Sequence, residues 1–441
     1  AGPGEPRLLR DELLPGYAPP SSGRRSLWLV LHESDAQLAD AESPTRMVST
    51  DAVAVTESAA RPQELYAIHA LDAQIRTANR LSALAPIDFA LCTGDNADSN
   101  QRNELAWFAA VWDGQPVRPD AGEPGAQPDL DGNDPIAMFV PEGADFPWYA
   151  VAGNHDVLVQ GNFLHGPWVD AVRGREAPLG TRDLSAPGGP LTYDTPPDPE
   201  RAVLERSDIA ALLLDGPDLP GPRGHGFSED DVARDAITWV ARPVGDVPVT
   251  LIAVDGNPDG PGDATLTDAE RDGWLVPQLD AAQARGDLIV LTSHYAMTSL
   301  RMSDGRGVGD LLLGYPNVVL VIAGHTHTNA IRPWGPAGDP AAFWEITTSS
   351  TIDWPAQARL IELVDNGDGT LSVLTTMFDH GAPPGSLAAR ARELALIDLQ
   401  SGWRLRDGSG EARDRNAELV QSVGAWRSTA GLAGVRSEGL P

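Results

Sequence analysis

The sequence predicts an α/β fold, and three observations carry that expectation. Short apolar runs alternate with segments of helical spacing from residue 26 to about 323. Consecutive strand-like runs follow after residue 340. Five of the apolar runs end directly in small groups of Gly, Asp, Asn or His. Alternating runs of this kind indicate βα units around a largely buried sheet.

Taken in order, residues 1–25 are rich in Pro, Gly and Arg and read as an extended lead-in. Ser26–Leu31 is a first buried strand, and Leu65–Leu84 has helical spacing. Ile87–Cys92 is a second strand, Asn103–Trp112 a short helix, and Trp148–Ala152 a third strand. Apolar runs return at Val249–Val254, Leu288–Leu291 and Val318–Ala323, with helical patterns at about 267–285 and 305–313. Phe343–Thr348, Arg359–Val364 and Leu371–Met377 read as successive strands. Asp365-Asn366-Gly367-Asp368-Gly369 supplies a hairpin turn between the last two. A helix is expected at about 386–396. Residues 113–146 and about 157–247, rich in Pro, Gly and Asp, interrupt this rhythm. They read as insertions that shape a site. The expected organisation is the lead-in 1–25, a main domain over 26–380, and a helical or irregular segment over 381–441.

The 441 residues are 41% apolar, enough for a sizeable core. Net charge is −31, and every basic residue is Arg. Such a surface repels polyanions and argues against bulk nucleic-acid binding. It does not exclude a small phosphate ester, because divalent cations reverse the field locally. Cys92 is the only cysteine, so no intrachain disulfide forms. No apolar stretch is long enough to span a membrane. The chain begins at Ala1 without Met, which favours export after removal of a leader. Arg24-Arg25 is similar to a twin-arginine signal, but the following apolar run is short and meets Glu33 and Asp35. It reads as a core strand.

The chemistry lies in five segments: Ser34-Asp35-Ala36-Gln37, Gly94-Asp95-Asn96-Ala97-Asp98, Gly153-Asn154-His155-Asp156, Ser293-His294 and Gly324-His325-Thr326-His327. Each follows an apolar run, and in open α/β sheets sites gather at the carboxyl ends of strands. Carboxylate, carboxamide and imidazole suit Mn, Fe, Zn or Mg. Gly before Asp95, Asn154 and His325 permits a tight turn. Each piece alone is commonplace; the five together point to a metal site. A Ser/His hydrolase is disfavoured because no Gly-x-Ser-x-Gly elbow occurs.

These segments resemble the calcineurin-like metallophosphoesterases, whose pattern is Asp-x-His, Gly-Asp-x-x-Asp, Gly-Asn-His-Asp/Glu, His, and Gly-His-x-His. The segment with Trp344-Glu345-Ile346 and the 365–370 hairpin looks like a secreted bacterial subgroup with long insertions. The resemblance implies a four-layer α-β-β-α sandwich of two packed mixed sheets. It implies two divalent metal ions and hydrolysis of a small phosphomonoester or phosphodiester by a metal-activated hydroxide. Asp35 and His327 would hold the first metal, Asp95 would bridge, and Asn154, His294 and His325 would hold the second. His155 would protonate the leaving oxygen, Asp156 would orient His155, and Asp98 would be structural. Nucleotide-directed hydrolysis, or a metal-binding surface protein with impaired catalysis, are the alternatives.

Two positions depart from the pattern. Gln37 stands where the family has His, and its amide oxygen is a weaker, harder ligand. Tyr295 follows His294 where some relatives carry His. His32 has the wrong strand parity to replace Gln37. His69, His165, His225 and His380 read as packing or surface residues. Trp148, Trp168 and Trp344 read as core residues before base-stacking ones. Asp129-Leu130-Asp131-Gly132-Asn133-Asp134 lacks the Gly at position six and the terminal Glu of a calcium loop and reads as a solvated turn.

Overall fold

A parallel sheet covered on both faces buries every side chain, so its strands are near-continuous apolar runs. The computed structural model describes residues 4–43, 61–121, 134–163, 198–257, 259, 264–401, 407–423 and 436–437. Its apolar runs form two mixed sheets. The first runs, in spatial order, Leu8–Arg10, Ala417–Ser422, Thr370–Asp379, Gln357–Asp365, Arg25–Glu33, Phe89–Cys92 and Trp148–Ala150. Arg436–Ser437 also pairs with the start of Arg25–Glu33. The second runs Ala330–Trp334, Phe343–Thr347, Val318–Ala323, Leu288–Ser293, Val249–Val254 and Trp239–Ala241.

Period-two alternation divides each strand between two cores. In Val249–Val254, Leu251 and Ala253 join the core shared with the first sheet. Ile252 and Val254 instead meet Leu275, Leu279 and Ala282 of the helix after this strand, and Val308 and Leu312 of the next. Helix Ala67–Ser82 covers the first sheet's outer face through Ile68, Leu71 and Ile75, and helix Leu387–Ser401 packs beside it. The result is the four-layer α-β-β-α sandwich.

Both sheets point their parallel strands to one edge. Arg25–Glu33, Phe89–Cys92 and Trp148–Ala150 are mutually parallel. So are Val249–Val254, Leu288–Ser293, Val318–Ala323 and Phe343–Thr347. The five chemical segments leave these strands at that edge.

Some elements differ from expectation. The lead-in contributes Leu8–Arg10, parallel to Ala417–Ser422 from the C-terminal segment expected to be helical or irregular. Three-residue strands leave no periodicity to read, and Arg10 is held at 5.3 Å over the Trp344 ring. The second insertion holds helices Arg206–Leu214 and Glu229–Arg234 and the edge strand Trp239–Ala241. Ala330–Trp334 contains Pro333, which an edge strand tolerates because the ladder needs no N–H there. His165, Trp168 and residues 129–133 lie outside the described residues. Among the described residues no helix is long and apolar enough to cross a membrane.

Candidate metal centre

Backbone hydrogen bonds lock the loops together where the strands end. Asp35 N donates to Gly94 O (3.1 Å), Gln37 N to Asp95 O (2.8 Å) and Gly324 N to His294 O (2.9 Å). Asp35, Gln37, Asp95, His325 and His327 all have left-handed backbone, with φ of 54°, 42°, 54°, 67° and 50°. Non-glycine residues held there are strained, and such strain clusters at functional sites. The motif glycines serve differently from expectation. Only Gly94 has a positive φ (95°); Gly153 and Gly324 are required by close approach. A Cβ on Gly324 would fall 2.7 Å from Asp35 Oδ2, and one on Gly153 would fall 2.5 Å from Asp95 N.

The side chains converge in two overlapping groups, Asp95–His294–His325 and Asp35–Asp95–His327, with ligand atoms within 4.8 Å of one another in each. Asn154 Oδ1 lies 3.0 Å from His294 Nε2 and 3.1 Å from His325 Nδ1. All are buried except His325, which is partly exposed.

The donor count is what makes this arrangement fit a cation. His294 Nδ1 is satisfied by Thr93 O at 2.8 Å. In the neutral ring its Nε2 lone pair then faces Asp95 Oδ2 at 3.2 Å and Asn154 Oδ1 at 3.0 Å. His327 repeats this: Nδ1 lies 2.5 Å from Asp353 Oδ2 and Nε2 lies 3.1 Å from Asp35 Oδ1. Gln37 donates its amide to Asp95 Oδ2 at 3.3 Å, leaving the buried Oε1 with no hydrogen-bond partner. Acceptors facing acceptors across about 3 Å need a positive charge between them. A proton supplies it in part. Burial lowers His294, but Asp95 beside it outweighs burial and pushes the ring up to about 9. Burial and the charge on His294 then hold His325 down, to about 3. Asp95 is raised by burial but lowered on balance by His294 and His155. Divalent cations fit the same demand with the same atoms, and outer partners such as Thr93 and Asp353 fix the ring nitrogens offered to them.

His155 lies beside this group, its Nε2 4.0 Å from Asp95 Oδ2. Its Nδ1 donates to Asp98 O at 2.7 Å and lies 3.5 Å from Asp98 Oδ1. Burial opposes its charge, yet Asp95 and Asp98 push the ring up to about 9. Asp98, expected to be structural, is therefore the residue that orients His155. Asp156 does not orient it. Its carboxylate accepts from the backbone N–H groups of Gly153 (2.7 Å), Ala97 (2.9 Å) and Asn96 (3.1 Å) and so braces the Asp95 loop. Asp156 sits at the third position of a one-turn helix, where a carboxylate turns back to the N-cap.

Sequence reasoning missed a buried network behind the ligands. Arg61 Nη1 lies 3.5 Å from Asp98 Oδ1 and Arg61 Nε 3.2 Å from Asp353 Oδ1. One guanidinium thus links the carboxylates that hold His155 and His327. Nothing around Arg61 or Asp353 in sequence marks them; the second Asp of Gly-Asp-x-x-Asp was the readable signal for Asp98. Gly161 was also missed. Its carbonyl accepts from Asn154 Nδ2 at 3.2 Å.

Other residues fall outside the centre. His32 is fully buried between Thr93 Oγ1 (2.9 Å) and Thr348 Oγ1 (2.7 Å), and burial lowers it to about 3. Tyr295 packs its ring 4.4 Å from that of His325. His69 bonds Pro135 O, and His225 stacks on Trp148 with centroids 3.4 Å apart. His380 is buried. Trp148 and Trp344 are wholly buried core residues, so neither stacks a base.

The calcineurin-like phosphoesterase profile matches residues 30–329, more than half of the chain and every one of these segments. The chain belongs to the calcineurin-like phosphoesterase family. Members of this family generally bind divalent metals, in keeping with the ligand groups described. Among solved structures, this phosphoesterase is similar to the Thermus thermophilus sulfate thiohydrolase SoxB in complex with glycerol. Identity is 15%, over 87% of this chain and 62% of that one, with a TM-score of 0.35. It is also similar to the purple acid phosphatase PPD1 from yellow lupin (Lupinus luteus) seeds. Identity there is 10%, over 81% of this chain and 52% of that one, with a TM-score of 0.35. The chain thus spans less than two thirds of each of these proteins. No curated protein matches it.

Proposed function

We propose that this phosphoesterase hydrolyses a small phosphate monoester or diester at a centre of two divalent cations. The observation that carries the reading is the meeting of Asp35, Gln37, Asp95, Asn154, His294, His325 and His327 with more acceptors than donors. Asp35, Gln37 and His327 would hold one cation, Asn154, His294 and His325 the other, and Asp95, common to both groups, would bridge them. When bound, such cations lower the pKa of water and neutralise phosphoryl charge. The chain's own part is to orient and to move a proton. Asp98 fixes His155 with its Nε2 toward the centre, where it donates to the leaving oxygen. Asp156 holds Asp95 in register through the loop backbone.

The test joins elemental analysis of the purified chain to hydrolysis of p-nitrophenyl phosphate and bis-p-nitrophenyl phosphate, before and after EDTA. About two equivalents of a transition metal and EDTA-sensitive release of nitrophenol are expected. Bound metal with no turnover of either ester would favour a metal-binding protein with impaired catalysis.

A further inference from the structure

A second concave region lies outside the metal ligands. It is a cleft of about 750 Å³ between the Arg206–Leu214 helix and the helix following Val249–Val254, lined in part by Arg206, Thr238, Asp255, Asn257, Glu270 and Trp274. We propose that this cleft binds an uncharged, hydroxyl-rich group such as a sugar or polyol.

Unanswered hydrogen bonds point to a ligand. Thr238 is 3% exposed and Asn257 5% exposed. Thr238 Oγ1 and Asn257 Oδ1 nevertheless lack any hydrogen-bond partner. Buried polar atoms are ordinarily satisfied, and each exception needs an explanation. One atom is a hydroxyl that donates and accepts; the other only accepts. A ligand hydroxyl answers both.

Both arginines lining the cleft are already paired. Arg206 Nε lies 2.8 Å from Asp255 Oδ2 and its Nη1 3.1 Å from Asp259 Oδ1, while Nη2 donates to Asn257 O at 3.0 Å. Arg234 is paired with Asp231 at 2.5 Å. Glu270 turns back to accept from Thr267 N (2.9 Å) and Thr267 Oγ1 (2.7 Å). A phosphate therefore finds no free cation among these residues, and the carboxylates of Asp235 and Glu270 are answered by neutral N–H and O–H groups. Trp274, half-buried, supplies a flat apolar face of the kind that packs on the C–H face of a sugar. It sits in the π-helical turn Arg271–Leu275, and such turns recur at functional sites.

The cleft floor is tied to the metal centre. Val254 pairs with Ser293, so Asp255 leaves its strand beside His294. Asn257 Nδ2 donates to Ala152 O at 2.9 Å, two residues before Asn154. This placement makes the bound group the alcohol part of the ester, a step that rests on the phosphoesterase reading; binding itself does not.

Calorimetric titration of the full chain with glucose, maltose and choline tests the site. A sugar should bind, and Thr238→Val should weaken it about tenfold, the worth of one net hydrogen bond. Trp274→Ala should weaken it as well, and Thr238→Ser should restore native affinity. Melting temperatures near native would show that the variants fold. Choline binding in preference to both sugars, no sugar binding, or binding indifferent to both weakening substitutions would overturn the proposal. Hydrolysis of p-nitrophenyl phosphate is measured in parallel. Its absence beside intact sugar binding would strike the phosphoesterase reading and leave the cleft standing.

Discussion

Substituting Gly153 by alanine tests whether the centre is held by sterics at the atomic level. Gly153 has φ −103° and ψ −175°, extended backbone that alanine adopts without strain. The objection is purely one of space. A Cβ there would stand 2.1 Å from Asp95 Oδ1, 2.5 Å from Asp95 N and 2.8 Å from Asp95 Cγ. Ordinary contact begins at 3.4 Å, so the carboxylate must retreat by about 1.3 Å, from 2.1 to 3.4 Å. Metal–ligand distances tolerate only about 0.2 Å. Asp95 belongs to both ligand groups, so both lose it. Overpacking itself costs about 1–3 kcal/mol, a modest loss of stability. Metal affinity should fall by more than about a hundredfold, because even partners outside the ligand set are worth about 10–100-fold. Gly245→Ala is the control: it is exposed, with no atom within 4 Å of the added Cβ. The assay is metal content at fixed metal concentration, with melting temperature and ester hydrolysis. A Gly153→Ala protein with native metal content and turnover would refute the packing argument.

Three further outcomes follow from the geometry. His155→Ala should keep its metal while turnover of an ester with a poor leaving group falls about 10²–10⁴-fold; equal loss of metal would instead make His155 a ligand. Asp353→Asn removes the carboxylate 2.5 Å from His327 Nδ1, and metal affinity should drop about 10–100-fold; melting temperature should fall too, because the same carboxylate faces the buried Arg61 at 3.2 Å. His225, lowered by burial from 6.5 to about 4, makes stability depend on pH. The unfolded ring takes a proton first, so this contribution is whole above about 6.5 and lost as pH falls to about 4, up to ~3 kcal/mol. Asp113, raised by burial to about 6 against its Trp148 hydrogen bond, works the other way, stabilising at low pH and losing that effect as pH rises through about 6. Denaturant midpoints of the native chain and of His225→Phe, compared between pH 4 and 7, isolate the histidine's part. The native chain should lose more stability than His225→Phe as pH falls from about 6.5 to about 4, and parallel curves would refute the reasoning.

The sheets were legible because burial on both faces writes itself as apolar runs, and Val249–Val254 and Val318–Ala323 stand in the structure as the sequence marks them. Which side chains meet at the sheet edge was legible because motif residues follow those runs at once. What could not be read was whatever depends on contacts remote in sequence. Arg61 meets Asp353 across 292 positions, and no local pattern signals such a pairing. Leu8–Arg10 becomes a strand only because Ala417–Ser422 lies beside it. Asp156 differs for a local reason: the resemblance implied that it orients His155. In a helical turn, however, neighbouring side chains point apart, and the third-position carboxylate reaches back to the cap instead.

The same reasoning explains why the candidate ligands themselves, and not only glycines, take the left-handed backbone. A ligand must leave its strand end and turn back over the sheet edge within two or three residues. At Asp35, Asp95, His325 and His327 the turn falls on the candidate ligand itself, so its side chain is aimed by the backbone and not by rotamer choice alone. Each such residue costs about 1–3 kcal/mol when nothing holds it. Interloop bonds such as Asp35 N to Gly94 O and Gln37 N to Asp95 O offset that strain by tying one bent loop to the next. Gln37, with φ 42°, belongs to this bent set although it departs from the family's histidine. Its backbone is bent in the same way as that of Asp35, its amide meets Asp95 Oδ2 at 3.3 Å, and its buried Oε1 has no hydrogen-bond partner.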